Sequence, residues 1–249
     1  MAKSKSKAGK ISIDGLRTLI NKTSVVEVAH NLKEANPTEV TEWIPTGSRW
    51  LDSIICRGQL AGIPVGKFTE IAGLESTGKS FMAAQCAANA QKMGMNVVYM
   101  DSESAIDPGF LERTGCDLEN LIYVQAQSVE HVLETVEAVL ASGAERTLFI
   151  WDSLALTPTV SDVEGDFNPQ STMAFLVLNQ LKTNIPQGPN ARIVAMTTPY
   201  ITPGGKAMHY VYSLRVWLTG RKAKSAFIED ESGFRIGSEV KVKLEKSRF

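Results

Sequence analysis

The chain has 249 residues, 43% of them hydrophobic and 21% charged, a composition that supports one large buried core with room for a small appendage. A formal net charge of −1 excludes capture of a phosphate-rich partner by bulk charge, so such a partner has to meet a local basic surface. The three cysteines, Cys56, Cys86 and Cys116, follow no zinc or redox spacing and cannot all pair, which points to reduced thiols in a cytoplasmic protein.

The opening MAKSKSKAGK is basic but lacks the apolar stretch of a signal peptide, and no run reaches the roughly eighteen apolar residues of a membrane span. It reads as a solvated tail, with a nucleic-acid contact as the alternative. Ile13, Leu16, Leu19 and Ile20 make a narrow helical stripe over residues 13–22, and a weaker helical stretch covers 25–35 before Asn36 and Pro37 end it. Residues 1–36 are too few to stand alone and are expected to pack on the remainder, 37–249, or on another molecule. From 43 to 66 the chain is turn-rich around a helix-like 48–56.

An alternation follows. Strands are expected at 68–72, 96–102, 121–126, 147–151 and 175–178, and helices at 79–93, 107–114 and 128–142. Ser128 caps the last helix, and acidic residues near its start suit its N-terminus. Continuous apolar runs such as LFIW and FLVL fit strands covered on both faces, so the fold class is α/β, a mostly parallel sheet flanked by helices. After Gly204 the period changes to two in SLRVWLTGRK and SEVKVKLEK, with the polar DESG between them, which reads as an antiparallel hairpin on one side of the sheet.

The stretch EIAGLESTGKS carries the chemistry. A strand running into G-x-x-x-x-G-K-S and then a helix is the context of a P-loop. Gly73, Glu75, Ser76, Thr77 and Gly78 would bring backbone N–H groups to nucleotide phosphates, followed by the helix end at Lys79, Ser80 and Phe81. Lys79 adds a point charge at the β and γ positions, and Ser80 is expected to ligate Mg2+. Asp152, at the end of TLFIWDS, fits a magnesium-holding carboxylate beside that loop or a strand-end cap. VVYMDSES offers Asp101 and Glu103; Glu103 is either the carboxylate that positions the attacking water or an exposed loop acid.

PTGSRWLDSII, GIPVGKFTEIAGLESTGKS, MDSESAIDPGFLERTG, LFIWDSLAL, FLVLNQLK, PGGKAMHYVYSLRV and GSEVKVKLEKSRF come in the order and roughly the spacing of the RecA recombinase family, and the whole is most similar to phage recombinases of the UvsX type. The resemblance covers about residues 45–249 and implies a RecA-like P-loop ATPase core that uses ATP and Mg2+. It further implies that Glu103 is the catalytic glutamate, that Phe110 stacks on adenine with Asp107 near the base, and that Gln180 senses the γ-phosphate. Lys246 and Arg248 match basic residues that reach the nucleotide of the neighbouring subunit, although KVKLEKSR also fits a solvated strand face.

The resemblance also implies that two loops meet DNA: one around 163–170, with Glu164 and Gly165, and one over 182–206, with Lys182, Arg192 and Lys206, whose length and modest basic charge suit a backbone contact with a single strand. From composition alone the second is equally a disordered lid. The N-terminal helical unit matches an oligomerisation arm, and Tyr210 matches an aromatic packed into the next protomer or a core aromatic. Residues 153–174 span only 22 positions, short for a parallel crossover with a loop and a helix, so either a segment of about twenty residues near 170–175 is missing, the favoured expectation, or the crossover is unusual; by the resemblance the family's C-terminal region is expected to be absent after Phe249.

The implied activity is a DNA-dependent ATPase that forms a helical filament on single-stranded DNA, pairs it with homologous duplex DNA and exchanges strands, with no membrane association. Two other classes share the motifs: a RecA-fold motor such as a hexameric helicase, and a non-catalytic, nucleotide-regulated DNA-binding protein.

Overall fold

The computed structural model describes residues 11–23, 28–34, 36, 39–59, 61–157, 173–220 and 226–249. The chain divides into two compact units, Met1–Glu39 and Val40–Phe249.

In the first unit, helix α1 (Ile13–Lys22) begins where the Ser12 hydroxyl accepts the Gly15 N–H at 3.1 Å. Asp14 in its first turn and Lys22 in its last complement the helix dipole. The expected second helix does not form over the described residues 28–34, where the chain turns with Glu34 N–H bonded to Asn31 O. The Asn21 side chain accepts the Val28 and Ala29 amides at 3.0 and 2.8 Å, a local alternative to helical bonding.

The second unit is built on a seven-stranded sheet. In chain order its strands are β3 (Phe68–Gly73), β4 (Asn96–Asp101), β5 (Leu121–Gln125), β6 (Thr147–Asp152), β7 (Ala174–Gln180), β10 (Leu214–Gly220) and β13 (Val240–Ser247). Their spatial order is β13-β10-β3-β7-β6-β4-β5, and every pair is parallel except β10 with β13. This is the mostly parallel α/β sheet that the apolar runs predict.

Alternate residues of each strand feed two cores. On one face Ile71, Val97, Leu148, Leu176 and Val216 pack with helices α2 (Arg49–Ile55) and α3 (Lys79–Lys92). The buried side of α3 is almost all alanine, Ala83, Ala84, Ala87, Ala88 and Ala90, with Cys86 among them. Small side chains let the helix axis approach the strands closely, and that places its first turn over the end of β3. On the other face Val98, Phe149, Trp151, Phe175 and Val177 meet helix α5 (Val129–Ala141), whose N-cap Ser128 accepts the His131 N–H as expected.

The remaining elements are small. Strands β1 (Trp43–Ile44) and β2 (Ile63–Pro64) pair antiparallel, and helix α4 (Pro108–Arg113) follows β4. β8 (Lys182–Thr183) pairs with β9 (Tyr200–Ile201), with helix α6 (Ala191–Thr197) between them and α7 (Gly205–Val211) after them. The stretch expected as one long loop over 182–206 is therefore a ribbon enclosing a helix, closed by the Asn184 N–H to Pro199 O bond at 2.8 Å.

The antiparallel pair β10–β13 is present at one edge of the sheet, as expected. DESG does not join its strands. It turns a separate ribbon of β11 (Phe227–Glu229) and β12 (Arg235–Ser238), where the Asp230 carboxylate collects the Ser232 and Phe234 amides. Between β6 and β7 the described chain holds only a 3-10 turn, Leu154–Leu156. β7 runs unbroken through Ala174 and Phe175, so the short crossover lies upstream; Glu164, Gly165 and residues 170–172 of the segment expected to be incomplete fall on 158–172, outside the described residues.

Candidate nucleotide-binding site

β3 delivers the chain to Gly73, where a side chain would collide with the Thr77 hydroxyl and with Leu218 of β10. That hydroxyl is occupied in holding the loop, donating to Leu74 O at 2.7 Å. Gly78 caps α3 at φ 85°, a conformation that favours glycine, and Ser76 also has positive φ, at 57°. The loop thus turns back over the helix N-terminus, the geometry that gathers unpaired N–H groups toward an anion. Lys79 lies in the loop's mouth, its ammonium donating to Leu74 O at 3.0 Å and Gly73 O at 3.3 Å. Burial pushes its pKa down, while Asp152, Glu103 and Glu75 pull it up. A triphosphate would favour the charged form in the same sense.

Ser80, in the first turn of α3, donates to Asp152 Oδ2 at 2.8 Å, and Tyr99 of β4 donates to the same oxygen at 3.0 Å. Burial raises the Asp152 pKa against the lowering effect of these two bonds, and Glu103 and Asp101 raise it further. A hydroxyl and a carboxylate oxygen on adjacent elements suit a hard cation that takes its other ligands from phosphate and water. Among the described residues no group of three His, Cys, Asp or Glu side chains forms a metal cage.

Glu103 sits in the turn after β4, and the buried Asp101 shapes that turn. Its carboxylate accepts the amides of Glu103 and Ser104 on Oδ1 and those of Ala105 and Ile106 on Oδ2, with the Tyr123 hydroxyl on Oδ2 as well. Asp101 is therefore an anchor for the loop, not a free acid. Glu103 remains exposed, with Oε1 accepting from Ser153 Oγ at 3.1 Å, and so faces the residue after Asp152. Ser80, Glu103, Asp107, Phe110 and Asp152 line one cavity of about 140 Å³. Asp107 caps α4, bonding Gly109 and Phe110 N–H, which fixes Phe110 at the cavity edge with its ring 6.2 Å from that of Phe81.

Gln180 ends β7 in register with Gly73, so it stands beside the first glycine of the loop. Lys246 and Arg248 are elsewhere: Lys246 donates to His209 O at 2.7 Å and Arg248 to Tyr210 O at 2.9 Å, both carbonyls of α7. Partial burial lowers the Lys246 pKa, with Arg248 and Arg215 adding to it. Tyr210 is 74% exposed, which excludes its reading as a core aromatic. Lys182 and Arg192 are exposed on β8 and α6, and Lys206 lies on α7.

Sequence reasoning missed Tyr99 and Ser153, whose hydroxyls hold the two carboxylates, and Arg235, which lines a second cavity of about 380 Å³ with Ser76, Thr77 and Gly78. It also missed a buried polar cluster of Glu70, Asn179 and Arg215. The available signal was a charged or amide side chain inside each of the apolar strands FTEIAG, AFLVLNQ and LRVWLTG.

A glycine loop at a strand end, a helix beginning on its lysine and serine, and a carboxylate at the end of a parallel strand one place further along the sheet, across β7, define a P-loop α/β protein. Comparison with known sequences narrows this. Residues 10–249 match the family model described as RecA N-terminal domain. Protein RecA of Aquifex aeolicus is 31% identical over 260 residues, covering 98% of this chain and 71% of that protein. Protein RecA of Symbiobacterium thermophilum is 30% identical over 259 residues, covering 98% and 70%, and that of Chlamydia felis 30% over 234 residues, covering 88% and 65%. The chain belongs to the RecA family.

Proposed function

We propose that this protein is an ATP-dependent DNA recombinase of the phage UvsX type, a cytoplasmic protein that assembles as a helical filament on single-stranded DNA and promotes pairing and strand exchange with homologous duplex. The observation that carries the reading is the Ser80–Asp152 bond at the mouth of the glycine loop, with Glu103 anchored beside it, in a chain of this family.

The loop amides from Gly73 to Ser80 and the N-terminus of α3 would bind the triphosphate, with Lys79 on its outer phosphates. Ser80 and Asp152 would hold Mg2+, which supplies positive charge against the β- and γ-phosphate oxygens. Glu103 would orient the attacking water and accept its proton, and the Ser153 hydroxyl would keep that carboxylate aimed at the site. Phe110 would stack on the base, with Asp107 near it.

Gln180, beside Gly73, would report the γ-phosphate to the 182–206 stretch, where Lys182, Arg192 and Lys206 would follow a DNA backbone, as would the loop bearing Glu164 and Gly165. Lys246 and Arg248, held on α7 away from this copy's loop, would complete a neighbour's site, and residues 1–36 would link subunits. The test is the ATPase rate with and without single-stranded DNA across protein concentration. Stimulation rising steeply with concentration is expected, and Lys79→Ala abolishes turnover while the fold remains; undiminished DNA-dependent turnover in that variant overturns the assigned site.

A further inference from the structure

Three polar side chains lie together on one face of the sheet, between the nucleotide loop and the stretch from Tyr200 to Val211. Glu70 is fully buried on β3, three positions before Gly73, and its register partner on β10 is Arg215. Arg215 Nε donates to Glu70 Oε2 at 2.6 Å, and Asn179 Nδ2 donates to Glu70 Oε1 at 2.9 Å, so both carboxylate oxygens are taken. Asn179 also donates to Pro203 O at 3.0 Å, and its Oδ1 accepts the backbone N–H of Gln180 at 2.9 Å. The other end of Arg215 reaches the Thr202 hydroxyl at 2.8 Å and lies 3.1 Å from His209 Nδ1.

The rings of Tyr212 and Trp217 flank the guanidinium at 5.8 Å each and hold its plane. Arg215 Nη1 donating to Nδ1 requires the neutral imidazole with its proton on Nε2. His209 O in turn carries Lys246.

Stability does not explain the cluster. Apolar side chains of the same size would fill this space as well or better, because a buried ion pair loses in desolvation what it gains in attraction. What the charges add is fixed geometry. The Gln180 peptide is tied to Asn179, Asn179 to Glu70 and Pro203, and Arg215 to Thr202 and His209, with every bond directional. A shift of the Gln180 backbone cannot be absorbed by one side chain alone without leaving a buried polar group unpaired.

We infer that Asn179, Glu70 and Arg215 are positioning residues that couple the nucleotide end of β7 to the Tyr200–Val211 stretch and, through His209, to Lys246. None of the three lines either cavity beside the glycine loop. The inference rests on the recombinase reading above, since it assigns the route by which nucleotide state reaches the DNA-facing stretch.

The test measures binding of a labelled oligothymidylate to the full chain by fluorescence anisotropy, with ATPγS and with ADP, and takes the ratio of the two affinities. Thr202→Val removes a hydroxyl and keeps the shape, His209→Phe removes the second contact, and Thr202→Ser restores the hydroxyl. The double variant Thr202→Val/His209→Phe is expected to lower the ratio about five- to tenfold relative to wild type while binding of a fluorescent ATP analogue stays within about twofold, and Thr202→Ser keeps the wild-type ratio. Asn179→Leu, if it folds, lowers the ratio in the same way.

An unchanged ratio in the double variant overturns the coupling role and leaves the recombinase reading standing. A wild-type protein whose DNA affinity is the same with both nucleotides overturns that reading itself. A loss in Thr202→Ser equal to that in Thr202→Val shows a packing effect and overturns the hydrogen-bonded route.

Discussion

Tyr99→Phe tests whether Asp152 is a magnesium-holding carboxylate set by its neighbours. Tyr99 has no exposed surface, and its hydroxyl reaches Asp152 Oδ2 at 3.0 Å, so the substitution deletes one bond and leaves the ring in the core. A hydrogen bond to a buried charged acceptor contributes about 1.5–3 kcal/mol. At about 1.4 kcal/mol per tenfold, this corresponds to roughly ten- to a hundredfold in affinity, the range seen when groups behind a metal ligand are removed.

The pH response has a definite sign. Burial raises the Asp152 pKa, and the bonds from Ser80 and Tyr99 lower it, so removing Tyr99 moves it higher still. The ionised form is the one that holds the cation, so the acid limb of the hydrolysis profile moves to higher pH. For folding, the native state keeps a proton between the unfolded value of 3.8 and the raised folded value, so this group's contribution to stability falls as pH rises through that window, and the variant widens it. The assay is a Mg2+ titration of ATP hydrolysis across pH. A half-saturating Mg2+ concentration within about twofold of wild type, together with a superimposable acid limb, refutes the assignment.

Gly73→Ala places a methyl against the Thr77 hydroxyl and should abolish ATP binding, read by a fluorescent analogue, while far-UV circular dichroism stays native. Phe149→Ala opens the core where the ring stacks on Phe175 at 4.9 Å, and should lower unfolding free energy by about 3–5 kcal/mol in urea titration. Ser128→Ala removes the acceptor for the His131 amide at the start of α5; a loss of about 1 kcal/mol by the same titration is expected, with ATP binding unchanged.

The nucleotide loop could be read from the sequence because its constraints are local. Gly73, Gly78, Lys79 and Ser80 lie within eight residues, and the flanking strand and helix announce themselves by composition. Asp152 was accessible for a related reason, since the end of an apolar parallel strand has one place to emerge. The 182–206 stretch hid its structure because β8 and β9 are two residues each and α6 has neither a side-chain cap nor a buried residue, so no periodicity marks it. DESG was a turn as expected, but its polar sequence could not say which strands it joins. The Glu70–Arg215 pair spans 145 residues, and only register sets those side chains opposite each other.

The last strand gives the sheet a border that resists its own kind. β13 runs against its neighbour and sets exposed Lys241, Lys243 and Glu245 along its length, alternating with the half-buried Val242 and Leu244. Strand-to-strand addition of a second molecule there would have to crowd lysines against lysines. A second copy is thus steered away from fusing to this border, and the sheet stays closed at seven strands.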